Sequence, residues 1–178
     1  MYWPAGIKPG SVYDELVQNI DYTTTFLDLA GVQTEPSWMM DGVSLKNVLE
    51  GSQDPVHEYL FFELGFARGV TTREWKYITV RYDQETREQV DNGVVFKGWN
   101  NHEYRLPYYI RNSHLGYHAA LLNPNYFDLD QLYHVTTDPR ETLNLFGSET
   151  EKEQEMRALL LKSLQTFPGR PYGELITE

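Results

Sequence analysis

Three short runs between positions 58 and 82 constrain the fold more than anything else in the chain: EYLFFEL at 58–64, ARGVTT at 67–72 and WKYITVRY at 75–82. Each is rich in aromatic and β-branched residues and long enough to cross a sheet. In the third, Trp75, Tyr77 and Thr79 alternate with Lys76, Ile78 and Val80, which puts one set on each face and predicts cover on both. Only Arg73 and Glu74 separate the second and third runs, so a hairpin is expected although neither residue is the usual Gly or Asn of a tight turn. LYHV at 132–135 supplies a fourth strand, followed by an Asp138-Pro139 turn and an anchor of Leu143, Leu145 and Phe146.

The other strong signal is helical. Met156, Leu159, Leu160, Leu164 and Phe167 recur at three- and four-residue spacing until Pro168, which predicts a helix over 149–166 with Lys152, Glu153 and Arg157 on its polar face. Ser148 and Glu151 have the spacing of a capping box. Upstream, a helix over 21–30 is expected, with Asp21 as N-cap, Phe26, Leu29 and Ala30 as its apolar stripe and Gly31 as its end. Ser44 caps a shorter helix that Gly51 terminates, and SQDP at 52–55 reads as a boundary. The class is α+β, with an end segment at 1–54 and a sheet-and-helix unit at 55–178 that contains an irregular excursion at 83–130 and a short helix near 114–122.

Charge narrows the partners. With 15 Lys plus Arg against 26 Asp plus Glu, the net charge of -11 repels phosphate backbones and anionic lipid, so neither nucleic acid nor a membrane is expected as a partner. Apolar runs such as ALLL at 158–161 fall far short of the roughly 18–20 residues of a spanning helix. Cysteine is absent, which removes disulfides, thiolate metal sites and thiol nucleophiles. The start, MYWPAGIKPG, has no signal-peptide pattern, and Tyr2 and Trp3 are large apolar residues of the kind found inside a longer chain.

Candidate chemistry is sparse. His114 and His118 stand four apart, as metal-binding pairs do on a helix, without HExxH or a clear third ligand. Carboxylates pair at Asp128 and Asp130 and at Glu58 and Glu63, in a chain whose acidic excess makes accidental proximity expected. No GxSxG, P-loop or dinucleotide glycine pattern occurs. Among 13 Tyr and 4 Trp, the group Trp99, Tyr104, Tyr108 and Tyr109 is the best place for stacking on sugar rings, against the ordinary role of such side chains in a core or pocket wall.

Several motifs, in order, resemble the C-terminal portion of the sulfatase family within the alkaline-phosphatase-like superfamily. WPAGIKPGSV and NIDYTTTFLDLAGV look like its WPG-x-I-x-PG segment and Asp-x-x-x-Thr-x-x-x-LAG helix, and DGVSL at 41–45 follows as expected. FFELGFARGVTTREWKYI is similar to its Glu-containing, Arg-Ala-Val and WKY strands. QLYHVTTDPRETLNLF resembles LYDL-x-x-DP-x-E-x-x-NL, with His134 in place of Asp, and PGRPYGE is like the PFGE ending of some bacterial members.

The resemblance implies a small four-stranded antiparallel sheet packed by a long C-terminal helix, preceded by a helical segment from the edge of a larger α/β sulfatase domain. It also implies a parent that hydrolyses sulfate esters, of carbohydrates by expectation, with a formylglycine made from a Cys/Ser-x-Pro-x-Arg motif and a calcium ion held by Asp and Asn. Neither belongs to this chain, for which no catalytic residue, metal ligand or cofactor is expected. This chain is expected to be inactive alone, to support an N-terminal sulfatase domain and to form part of the substrate-pocket wall through 97–118. Lys97, His102, Arg105 and Arg111 are the expected cationic donors to a sulfated carbohydrate, with Trp99 and Tyr104 as stacking surfaces. The alternatives are a stand-alone glycan-binding or interaction module and a truncated product without activity. A face built from Tyr2, Trp3 and Phe26 would let a cut domain self-associate, and the resemblance suggests a periplasmic or secreted parent.

Overall fold

Alternation in the third run places it at the centre of a sheet. The computed structural model describes residues 1–4, 6–35, 37–64, 67–81, 88, 92, 95–97, 103–105, 125 and 128–166. Its chain contacts divide into two units, Met1–Leu60 and Phe61–Glu178.

In the first unit, α1 (Asp21–Leu29) is followed by the single-turn α2 (Lys46–Leu49). Gly31 closes α1 at φ +68°, as the sequence predicts. Leu29 of the expected apolar stripe is half-buried, but Phe26 and the cap depart from expectation. Ile20, not Asp21, is the N-cap residue, and the fully buried positions of α1 are Asp21 and Thr25 while Phe26 is 57% exposed. The polar pair turns inward because its hydrogen bonds are there: Thr25 Oγ1 donates to the Asp21 carbonyl at 2.6 Å and accepts the Leu45 amide at 2.9 Å. Thr24 Oγ1 donates to the Gly42 carbonyl at 2.9 Å, so the segment before α2 is bonded along α1. Gly42 is obligatory here because a Cβ would fall 2.3 Å from the Ile20 carbonyl oxygen, a backbone atom with nowhere to go. Ser44 accepts the Lys46 amide at 3.2 Å and donates to Asp28 at 2.6 Å.

The second unit is built on a sheet of order β1-β2-β3-β6, with β1 Leu60–Leu64, β2 Ala67–Thr71, β3 Trp75–Val80 and β6 Asp130–His134. β2 and β3 form the expected hairpin, Arg68 opposite Thr79 and Val70 opposite Tyr77, and the Thr72 amide closes its turn on the Trp75 carbonyl at 2.8 Å. β3 pairs antiparallel with β6, Tyr77 opposite Leu132. The long helix α3 (Thr150–Gln165) packs on β2 and β3. Val70, Tyr77, Leu132, Met156 and Leu160 are fully buried, the core that the two periodicities predict. This is the small α+β sheet-and-helix architecture expected from the sequence.

Two details differ. The capping box does not form: Glu149 is the N-cap of α3, Ser148 Oγ turns back to the Leu145 carbonyl at 2.7 Å, and Glu153 rather than Glu151 reaches back, to the Gly147 amide. The excursion holds a two-stranded antiparallel ribbon, β4 (Val95–Lys97) and β5 (Glu103–Arg105), that sequence patterning did not announce. The helix expected near 114–122 lies outside the described residues.

Candidate functional site

Of the residues expected to meet a sulfated sugar, the ribbon holds three. Lys97 stands on β4 opposite Glu103, Tyr104 on β5 opposite Phe96, and Arg105 opposite Val95. Trp99, His102 and Arg111 lie outside the described residues, as do Tyr108, Tyr109 and the His114–His118 pair. The antiparallel pairing therefore brings Lys97, Tyr104 and Arg105 onto one short ribbon.

The most developed polar geometry lies in three clusters, around Asp21, Asp130 and Asp138, which the sequence marks only as a helix cap, half of a carboxylate pair and a turn. In the first unit, the closed-off Asp21 carboxylate accepts the Gln18 amide at 2.7 Å and the Val43 amide at 3.0 Å, and it meets His57 Nε2 at 2.9 Å. One carboxylate thus holds the chain before α1, the chain before α2 and the chain that leads out of the unit.

A second cluster lies where β3 meets β6. Asp130 accepts from Tyr77 Oη at 2.7 Å, Thr79 Oγ1 at 3.0 Å and both of its oxygens from Arg81 Nη2 at 2.8 and 2.7 Å. Burial alone would raise the Asp130 pKa; the bonds from Tyr77, Arg81 and Thr79 outweigh it and hold the carboxyl below its ordinary value. Burial, and then the bond to Asp130, push the Tyr77 phenol up to about 12.

The third cluster explains the LYxx-x-x-DP-x-E-x-x-NL pattern. Asp138 accepts the Thr142 amide at 2.7 Å and the Leu143 amide at 2.9 Å, bonds that draw its pKa down and close the turn after β6. Glu141 takes φ +54° within that turn and pairs with Lys76 of β3. Asn144 then caps the sheet edge, accepting the Leu132 and Phe146 amides at 2.9 and 3.0 Å and donating to Asp128 Oδ2 and the Asp130 carbonyl at 2.9 and 3.0 Å.

These contacts account for three of the four paired carboxylates. Asp128 and Asp130 receive Asn144, Tyr77 and Arg81, and Glu63 receives Arg68 Nε at 3.1 Å, so each holds backbone or a neighbouring strand in place. Among the described residues no group of three or more His, Asp or Glu side chains could hold a metal ion, and no helix is long and apolar enough to cross a membrane. An open groove of about 630 Å³ in the first unit is lined by Ile7–Tyr13 and Val48–Gly51, with Lys8 and Glu50 among its lining.

Comparison with known proteins gives this scaffold its context. The model of the family described as N-sulphoglucosamine sulphohydrolase, C-terminal, matches residues 1–105. An N-acetylglucosamine-6-O-sulfatase of Bacteroides thetaiotaomicron is 28% identical over 92% of this chain and 24% of its own length. An arylsulfatase of Hemicentrotus pulcherrimus is 36% identical over 55% of this chain and 17% of its own length. The chain spans between 17% and 28% of the length of these curated relatives. Among solved structures, a protein in complex with its substrate D-glucosamine-2-N,6-O-disulfate superposes with a TM-score of 0.60 at 22% identity, over 96% of this chain and 28% of that one, a likeness of fold. With that family model matching more than half of its residues, the chain belongs to the sulfatase C-terminal family.

Proposed function

We propose that this chain is the C-terminal part of a sulfatase that hydrolyses sulfate esters of carbohydrate, and that within it these residues provide support and a portion of the substrate-pocket wall. The observation that carries this reading is the proportion: one relative aligns over 92% of this chain while the chain accounts for 24% of that sulfatase. The three clusters fit the supporting role, since Asp21, Asp130 and Asn144 all spend their polar atoms on backbone and neighbouring strands. The wall role belongs to the 97–118 stretch, where Lys97, His102, Arg105 and Arg111 would offer the positive donors that a sulfate needs and that a net charge of -11 does not supply.

The nucleophile and the metal ligands then lie upstream, in a domain of about three times this chain's length. In that setting the first unit belongs with the larger domain and the second forms the closing subdomain, with a periplasmic or secreted location for the whole. The chain by itself is inactive. Reading the coding sequence immediately upstream tests this: an in-frame Cys/Ser-x-Pro-x-Arg motif with metal-binding carboxylates is expected. A stop codon, or an unrelated domain, in that position would leave a free-standing glycan-binding module or an inactive product instead.

A further inference from the structure

The β4–β5 ribbon carries a residue that a wall for an anion does not call for. Lys97 and Arg105 are the cations expected to meet a sulfate, yet the register sets Glu103 directly across from Lys97, with Tyr104 across from Phe96 and Arg105 across from Val95. Residues directly across an antiparallel pair share a face, and neighbours along a strand alternate. Positions 95, 97, 103 and 105 therefore fall on one face of the ribbon and positions 96 and 104 on the other. The division is chemical as well: Lys97, Glu103 and Arg105 belong to the first face, Phe96 and Tyr104 to the second.

Register decides what the charged face can take. A carboxylate directly across from an ammonium offsets it, and the same carboxylate repels an anion brought to that position. The other position differs, because Val95 across from Arg105 supplies no counter-charge. Arg105 is thus the residue suited to a sulfate, and its planar fork matches sulfate oxygens in pairs. The Lys97–Glu103 position offers donors and acceptors together, which suits neutral hydroxyl groups that do both. Two residues along a strand separate the two positions by about 7 Å, the scale of one sugar ring.

We propose that Glu103 is a specificity-determining residue, which limits the wall to sugars carrying one sulfate at the Arg105 position and rejects a second sulfate at the neighbouring one; the proposal rests on reading the 97–118 stretch as part of the pocket wall of a carbohydrate sulfatase. A placed like charge is an effective way to separate ligands that share most of their contacts, because it acts against the wrong one alone. The substrate class that follows is a monosulfated sugar with free hydroxyls beside the sulfated position, and its disulfated counterpart is the ligand excluded. An ion pair that only steadied the ribbon would favour neither sugar over the other.

Glu103→Gln in the full-length product, assayed for sulfate release on a panel of monosulfated sugars and their disulfated counterparts, tests this. The ratio of kcat/KM for the disulfated sugar to that for the monosulfated one is expected to rise about tenfold. Glu103→Asp keeps the charge and is expected to keep the ratio, while Arg105→Gln weakens both sugars and leaves the ratio where it was. Glu103→Ala takes the place of Glu103→Gln if the amide disturbs folding. An unchanged ratio in the neutral variants, with KM still raised by Lys97→Ala and Arg105→Ala, would overturn the proposal and leave the wall standing. KM unmoved by every substitution at 97, 103 and 105 would overturn the wall and the proposal together. No release from any sugar of the panel by the wild-type product would overturn the carbohydrate-sulfatase reading beneath both.

Discussion

Asn144 stands beside Leu132 in the place of a further strand: its Oδ1 accepts the Leu132 amide at 2.9 Å, and the Leu145 amide bonds the Leu132 carbonyl at 2.8 Å. β6 is the last strand of the sheet, and Leu132 is fully buried, so both backbone groups on its outer edge are satisfied without an added strand. Asn144→Ala removes the acceptor for two amides, Leu132 and Phe146. It is expected to cost about 2–4 kcal/mol in urea denaturation followed by circular dichroism. A loss under about half a kcal/mol would show that water replaces the side chain without penalty.

Asp21 plays the corresponding role in the first unit, which makes its substitution informative about connection rather than catalysis. Asp21→Ala leaves the Gln18 and Val43 amides without their acceptor and His57 without its partner. Hydrogen exchange at Gln18 and Val43 is expected to accelerate by at least about tenfold, while the Leu132 amide of the second unit keeps its protection.

Gly42→Ala tests close approach without touching a side chain. The added methyl would stand 2.3 Å from the Ile20 oxygen and 2.7 Å from its carbon, so the backbone itself must move. A destabilisation of about 1–3 kcal/mol is expected from thermal melts, and none would mean the two segments are not held together as described.

The Tyr77–Asp130–Arg81 cluster gives stability a pH dependence at both ends. Asp130 has a folded pKa below its unfolded value, so its contribution is fully present above about pH 4 and fades as the pH falls through the folded pKa. Tyr77 has a folded pKa raised to about 12, so its contribution is present below about pH 10 and is lost as the pH rises through 12. Asp130→Asn is expected to flatten the acid limb of a stability–pH profile, and Tyr77→Phe the alkaline limb. Unchanged limbs in both variants would remove the cluster from the account.

How much of this was legible beforehand depends on what carried the signal. Period-two alternation at Trp75, Tyr77 and Thr79 and the spacing of Met156 and Leu160 identified the sheet, the helix and the core between them, because burial imposes those periods directly. The same logic places Phe26 inward, yet it faces out, because hydrogen bonds at Asp21 and Thr25 outrank its burial within the unit. Asn144 carries no period at all; it acts through one side chain on the Leu132 and Phe146 amides, whereas the turn at Asp138 is legible from the Asp-Pro pair and only its amide partners are not. Of the expected sugar-binding residues, Lys97, Tyr104 and Arg105 share the β4–β5 ribbon, a pairing that three-residue strands are too short to signal in sequence.

For the proposed wall, alanine at Lys97, Arg105 or Arg111 in the full-length enzyme is expected to raise KM for a sulfated sugar by about tenfold, with kcat affected less. Losses of the ring surfaces at Trp99 and Tyr104 and of the imidazole at His102 should act in the same direction. Unaltered KM across all six positions would move the wall elsewhere.

Release of inorganic sulfate from a panel of sulfated carbohydrates, followed by ion chromatography for this chain and for the full-length product side by side, tests the central claim most directly. Sulfate is expected from the full-length product and none above the buffer blank from this chain. Turnover by the 178-residue chain alone, surviving repurification, would contradict the account.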